Sequence, residues 1–314
     1  MIGRYLLRRA LALVPTLLGA LTLIFMVVHL IPGDPVLVVL GDRFSQEAYD
    51  EIQRRLGLDK PILVQYFNYL GEIVTGNFGD SFRTRRPIVD DIIAQFPYTL
   101  QLAIAALAIS LAIGIPAGML AALYRNRLPD QISTAIALLG VCAPGFWLGV
   151  MLIYFFSLQL NLFPSIGAAN WNEPGRMLHT LFLPALTLGA AQAALIARIS
   201  RSALLEVLGQ DYIRTARAKG LAGKAVLFRH ALRNGLIPVV TVATLELGQL
   251  LAGSAIIEIV FSRPGIGRLL IDSVLTRDYP QVQATLVFFV LMVSLATMLG
   301  DLLYPLIDPR VRYD

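Results

Sequence analysis

Charge is what this chain has least of. Asp, Glu, Lys and Arg make up 15% of its 314 residues, hydrophobic residues 56%, and mean hydropathy is +0.68. Soluble globular domains carry about 25% charged residues, so the composition excludes one and leaves a surplus of apolar surface that must face lipid. Cysteine is nearly absent. Cys142 alone can form neither a disulfide nor a thiolate metal cage, and its place in an apolar stretch reads as core packing. The histidines, His29, His179 and His230, are too scattered for the i, i+4 pairing of a metal-ligand helix and read as structural or interfacial. A phosphate-binding loop is missing too: Gly223-Lys224-Ala225 lacks the leading glycine, position 218 being alanine, and the closing Ser or Thr. Nor is there a nucleophile, base and orienter set, so no catalytic residue and no metal site are expected.

What the sequence does have is apolar length. Crossing a 30 Å hydrocarbon core takes roughly 20 residues of helix, and six stretches qualify: Ala10 to Ile31, Leu100 to Leu123, Ile132 to Leu158, Leu181 to Ile199, Leu236 to Phe261, and Ala284 to Ile307. These spans and their loops use nearly every residue, which predicts one all-α membrane domain. The first run follows Arg4, Arg8 and Arg9 as a signal peptide would. It is longer than a signal core and lacks a small-x-small cleavage site before Pro32, so it reads as a retained span.

Lys and Arg set the orientation, because short flanking segments rich in them stay cytoplasmic. With the N-terminus inside, Arg4, Arg8 and Arg9, then Arg125 and Arg127, then eight cations from Arg198 to Arg233, then Arg310 and Arg312 are cytoplasmic, 15 of the 26. The opposite side holds 13 of the 21 acids, ten of them between Asp34 and Asp91. Both termini are thus expected in the cytoplasm. The pI of about 9.5 then records topology, not nucleic-acid binding.

The first outer segment, Pro32 to Pro97, is polar, with Ile62, Val64, Tyr66, Phe67 and Leu70 spaced as in short amphipathic helices. Pro15, Pro116, Pro144 and Pro184 fall inside spans, where proline kinks a helix or permits close contact. Pro238 stands near the start of its span, where a missing N–H costs little.

The stretch from Ser200 to Gly235 is too cationic for lipid and far longer than the other inner connection, Asn126 to Gln131. Asp211 to Lys219 favours helix, Gly220 breaks it, and Lys224 to Asn234 resumes a helical pattern through Val226, Leu227, His230, Ala231 and Asn234. Ala216, Ala218 and Gly220 suit close approach by another protein, and Arg214, Arg217 and Lys219 suit ionic register. A basic loop on lipid headgroups fits the same composition.

Here the sequence resembles a known family. Asp211-Tyr212-Ile213-Arg214-Thr215-Ala216-Arg217-Ala218-Lys219-Gly220-Leu221, with His230-Ala231-Leu232-Arg233-Asn234 and Ile237-Pro238, resembles the coupling loop of binding-protein-dependent ATP-binding-cassette permeases, in the branch for dipeptides, oligopeptides, glutathione and nickel. The family's general pattern, Glu-Ala-Ala, three residues, then Gly, keeps Ala216 and Gly220 but has Arg214 and Thr215 in its first two positions. Further motifs run along the chain: Leu30-Ile31-Pro32-Gly33-Asp34-Pro35, Leu56-Gly57-Leu58-Asp59-Lys60-Pro61, Gly76-Asn77-Phe78-Gly79, Glu258 to Arg268, Arg277-Asp278-Tyr279-Pro280 and Asp308-Pro309-Arg310-Val311-Arg312.

The resemblance implies a type I importer permease in the bacterial inner membrane. Residues 1–97 would form an N-terminal span plus an extracytoplasmic segment, 98–307 a five-helix core with coupling loop 200–235, and 308–314 a cytoplasmic tail. It implies as partners a paralogous permease, two ATPase chains that bind ATP and Mg, and an extracytoplasmic substrate-binding protein; the chain itself would bind no cofactor and no nucleic acid. Coupling would fall to Asp211, Arg214, Thr215, Ala216, Arg217, Ala218, Lys219, Gly220 and Leu221. Short peptides are the expected cargo, with nickel the alternative within the family. An ion-coupled secondary transporter would need paired halves around buried ionisable groups, and only Glu246, Glu258 and Asp301 lie within or at the edges of spans. Glu258 and Asp301 stand near span ends and read as anchoring. Glu246, nearer mid-span, is the candidate to line the path and meet a peptide's ammonium group.

Overall fold

The structure, a computed structural model, describes residues 2–30, 35–40, 45–55, 57–169 and 171–307. The motif residues 31–34, Leu56, the tail 308–314 and the side chain of Asp301 lie outside the described residues. The described elements are helical apart from one isolated bridge between Asp80 and Pro87. Four helices precede the core sequence: α1 (Ile2–Leu30), α2 (Pro35–Leu40), α3 (Gln46–Arg55) and α4 (Ile62–Thr75). Then come α5 (Ile88–Leu123), α6 (Leu128–Cys142), α7 (Gly145–Leu152) with a π-helical continuation Ile153–Gln159, and α8 (Pro174–Leu208). The rest are α9 (Asp211–Ala218), α10 (Gly223–Ala225) leading through a π turn Val226–Ala231 into α11 (Leu232–Gly235), α12 (Ile237–Val260), α13 (Ile266–Leu275) and α14 (Tyr279–Ile307).

Five stretches are long and apolar enough to cross a membrane: Leu11–Leu30, α5, α8, α12 and Tyr279–Gly300. The sixth expected span, Ile132 to Leu158, is not one straight helix. It is α6 and α7, bent by 103°. Proline crowds the residue before it out of the helical region, and Ala143 accordingly lies at φ −72, ψ 128 ahead of Pro144 at φ −60, ψ 128. By contrast α8 runs through Pro184 unbroken. Pro238 sits in the first turn of α12, as its position predicts. Cys142, expected in the core, is instead exposed at the end of α6.

The chain divides into two units, Met1–Pro97 with Gly265–Met292 and Tyr98–Pro264 with Val293–Asp314. In the first, Leu21, Ile24 and Phe25 of α1 pack on Tyr69 of α4 and Val287 of α14. Thr22 and Tyr66 share a hydrogen bond of 2.7 Å, and His29 links the Phe25 carbonyl to Gln65, a structural role. The loop 79–88 closes on Asp278. That carboxylate, 3% exposed, accepts from Ser81 Oγ at 2.6 Å and from the backbone N–H groups of Phe82 and Arg83.

In the second unit, glycine lets helices touch backbone to backbone. A Cβ at Gly118 of α5 would lie 2.4 Å from the Ala197 carbonyl oxygen of α8, one at Gly114 2.7 Å from that of Ala193, and one at Gly189 2.6 Å from that of Ala106. Gly114 and Gly118 form the small-xxx-small spacing that drives helix association in lipid. Asp130 of α6 takes a bidentate contact from Arg201 of α8, Nε at 2.6 Å and Nη2 at 2.8 Å. Gly248 and Gly300 seat α12 against the second half of α14.

Candidate functional site

The predicted coupling segment is one contiguous piece of the second unit. α8 stays helical past Ile199 to Leu208, because Ala203 and Leu204 continue its apolar stripe. α9 then carries Asp211 in its first turn and Arg217 in its last, signs that complement the helix dipole. Its buried residues, Ile213 and Ala216, are three apart and share a face. They pack into a cluster with Leu204, Val226, Leu227, Ala231 and, at the end of α5, Ala122. Gly220 ends the helix at φ +77, the left-handed conformation that costs glycine least, and its N–H donates to the Arg217 carbonyl oxygen. The second helix follows, and Asn234 Nδ2 donates to the Tyr212 hydroxyl at 2.9 Å. The outcome is the expected helix-turn-helix.

The exposed face holds Asp211, Arg214, Thr215, Arg217, Ala218, Lys219, Gly220 and Leu221. Ala216 differs: it turns into the protein's own core, so of the three small residues only Ala218 and Gly220 lie open. Tyr212, Leu221 and Phe228 are exposed at 42, 42 and 57%, which sets apolar contact area among the cations. Of the apolar pattern read for the second helix, Val226, Leu227 and Ala231 are buried, whereas Asn234 is exposed.

Glu246 is not part of that segment. It lies on α12, 5% exposed, with Oε2 lacking a hydrogen-bond partner. A cleft of about 250 Å³ opens nearby between α7, α8 and α12, lined among others by Phe146, Thr187, Leu188, Gln192, Gln249 and Ile256. Glu246 does not line it; Gln249, nearly one turn on, does. Sequence reasoning missed Gln192 and Gln249. The available signal was a lone primary amide at the middle of each of two apolar spans.

Near the end of α12 a buried polar group closes the second unit. Thr99 Oγ1 donates to Glu258 Oε1 at 2.7 Å, and Arg263 Nη2 donates to Gln101 Oε1 at 2.8 Å. Arg263 is fully buried, and its guanidinium carbon lies 5.9 Å from the centre of the Tyr98 ring. Burial pulls its pKa down, and the Glu258 carboxylate and Tyr98 oppose that shift. Glu258 thus anchors, as its place near the span end suggested.

Spanning helices zipped by glycine, with a basic helix-turn-helix seated on their ends, define a polytopic membrane permease. The chain belongs to the family described as binding-protein-dependent transport system inner membrane component, whose profile matches residues 114–313; the profile for the N-terminal part of such membrane components matches residues 1–103. It is 43% identical over 309 residues to the glutathione transport system permease protein GsiC of Escherichia coli (strain K12), over 98% of this chain and 99% of that one. The same figures hold for GsiC of Shigella dysenteriae serotype 1 (strain Sd197). Among solved structures, the inward-facing MetNI methionine ABC transporter matches with a TM-score of 0.59 at 23% identity, over 71% of this chain and 98% of that chain. An amino acid ABC transporter matches with a TM-score of 0.52 at 16% identity, over 69% and 94%. Those two likenesses establish the fold, that of an ABC importer permease. The chain is a multi-pass protein of the bacterial inner membrane.

Proposed function

We propose that this chain is the pore-forming permease of an ATP-driven importer of short peptides, glutathione among them. The observation that carries the cargo is the 43% identity to the glutathione permease GsiC across nearly the whole length of both chains. A paralogous permease completes the pore, two ATPase chains supply ATP and Mg, and an extracytoplasmic binding protein delivers the peptide. This chain binds no nucleotide itself. Both termini and the segment Asp211 to Leu221 lie in the cytoplasm, in keeping with the distribution of Lys and Arg.

On this reading the exposed face of α9 and the turn at Gly220 seat in a groove on one ATPase. ATP-driven closure then moves α9, and the Ile213 and Ala216 contacts pass that movement to α8 and the end of α5. Glu246, with one unpartnered carboxylate oxygen, meets the peptide's ammonium group as the helices rearrange.

The test is ATP-dependent accumulation of labelled dipeptide, glutathione and nickel in vesicles holding the full assembly. Dipeptide or glutathione should accumulate only with ATP, and Gly220→Trp should hydrolyse ATP without uptake. Nickel accumulation alone would replace the cargo. Uptake without ATPases would replace the class with an ion-driven carrier.

A further inference from the structure

Gln192 and Gln249 stand near the midpoints of α8 and α12, two helices long and apolar enough to cross a membrane, and both line the cleft. No hydrogen bond joins either side chain to the described residues. Thr187, the other polar group of the lining, satisfies its own hydroxyl on the Leu183 carbonyl at 2.7 Å. An amide that reaches neither water nor a partner is costly in an apolar medium. Lipid therefore cannot be the lasting neighbour of these two groups. Gly253 adds no side chain to the lining, and a Cβ there would meet Leu188 Cδ1 at 3.5 Å, an ordinary van der Waals distance.

We propose that Gln192 and Gln249 bind the peptide unit of the cargo during passage. Each carries a carbonyl acceptor and two N–H donors, the complement of a main-chain N–H and C=O. The remaining lining residues, such as Phe146, Leu188, Leu250 and Ile256, are uncharged. The cleft thus recognises what all short peptides share and is indifferent to the sign of their side chains, leaving discrimination to the binding protein. This inference rests on the peptide reading above and names the residues that enact it.

Two measurements on the complete assembly test it. The first compares uptake of a dipeptide with that of its ester analogue, in which the linking N–H is replaced by oxygen. Wild type should favour the amide, and the Gln192→Leu, Gln249→Leu double variant should raise KM for the dipeptide at least tenfold and lose that preference. Unchanged KM and unchanged preference in the double variant overturn the proposal. The second needs no transport. In a Cys142→Ser background, which is free of cysteine, Gln192→Cys and Gln249→Cys should react with a membrane-impermeant charged thiol reagent, and dipeptide with its binding protein should slow the reaction. Unreactive cysteines place both positions against lipid or a companion helix and overturn it as well. Wild-type vesicles that accumulate no peptide overturn the cargo reading itself, an outcome seen separately.

Discussion

Arg201 reaches Asp130 with two parallel hydrogen bonds, and Asp130 Oδ2 also accepts from the backbone N–H of Asn126 at 2.9 Å. Asp130 is 4% exposed, so removing the guanidinium strands a nearly dry carboxylate. The expected loss for Arg201→Ala is about 3 kcal/mol, at the lower end for a buried pair because Arg201 stays partly solvated. Thermal unfolding in detergent reads it, and adding Asp130→Leu should return much of the loss. Arg201→Lys should not rescue fully, since an ammonium cannot present the paired donors. The pair was illegible in sequence, where Asp130 and Arg201 count only as two loop charges 71 residues apart. Gln192 and Gln249 were overlooked for the opposite reason. Glu246 stands out in an apolar span by its formal charge, whereas the cleft is lined by neutral amides.

At the scale of elements, glycines of one type behave differently according to what faces them. Gly118→Leu should drive α5 from α8, because the obstructing atoms include backbone that cannot move aside. Overpacking of this kind costs about 1–3 kcal/mol or more. Gly19→Ala in α1 meets nothing within 4 Å and should stabilise by up to about 1 kcal/mol through helix propensity. Melting temperatures of the two variants should thus move in opposite directions. In α9, Ile213→Ala removes a fully buried side chain and should cost about 2–4 kcal/mol. Arg217→Ala on the exposed face should cost less than about 1 kcal/mol of stability, the helix-dipole contribution, and weaken chiefly the hold on the ATPases, read by their retention on the purified permease. Helix-turn-helix character was legible from Gly220 and the spacing around it. The inward turn of Ala216 was not, because eight residues are too few for the pattern alone to say which stripe meets the core. The bend at Pro144 was open to sequence reading only as a kink, since proline's effect ranges from none, as at Pro184, to a break.

For the molecule as a whole, membrane class and family were legible because each is written many times over, in apolar length and in several motifs. Grouping was not. Residues 265–292 join residues 1–97 in one unit, and no local pattern announces a partnership so distant along the chain. Its bond is Ser81 with Asp278, 197 residues apart. Arg83, Arg85 and Arg86 in the loop it secures are exposed, so Asp278→Ala should turn that loop into a trypsin site while wild type resists cleavage, read by limited proteolysis of the purified protein. Synthesis adds another cost. At about 5–20 residues per second, the ribosome needs roughly 10–40 s to travel from Ser81 to Asp278. Through that interval Ser81 and the N–H groups of Phe82 and Arg83 have no Asp278 carboxylate to donate to, so the newborn loop closes only after residue 278 has been made.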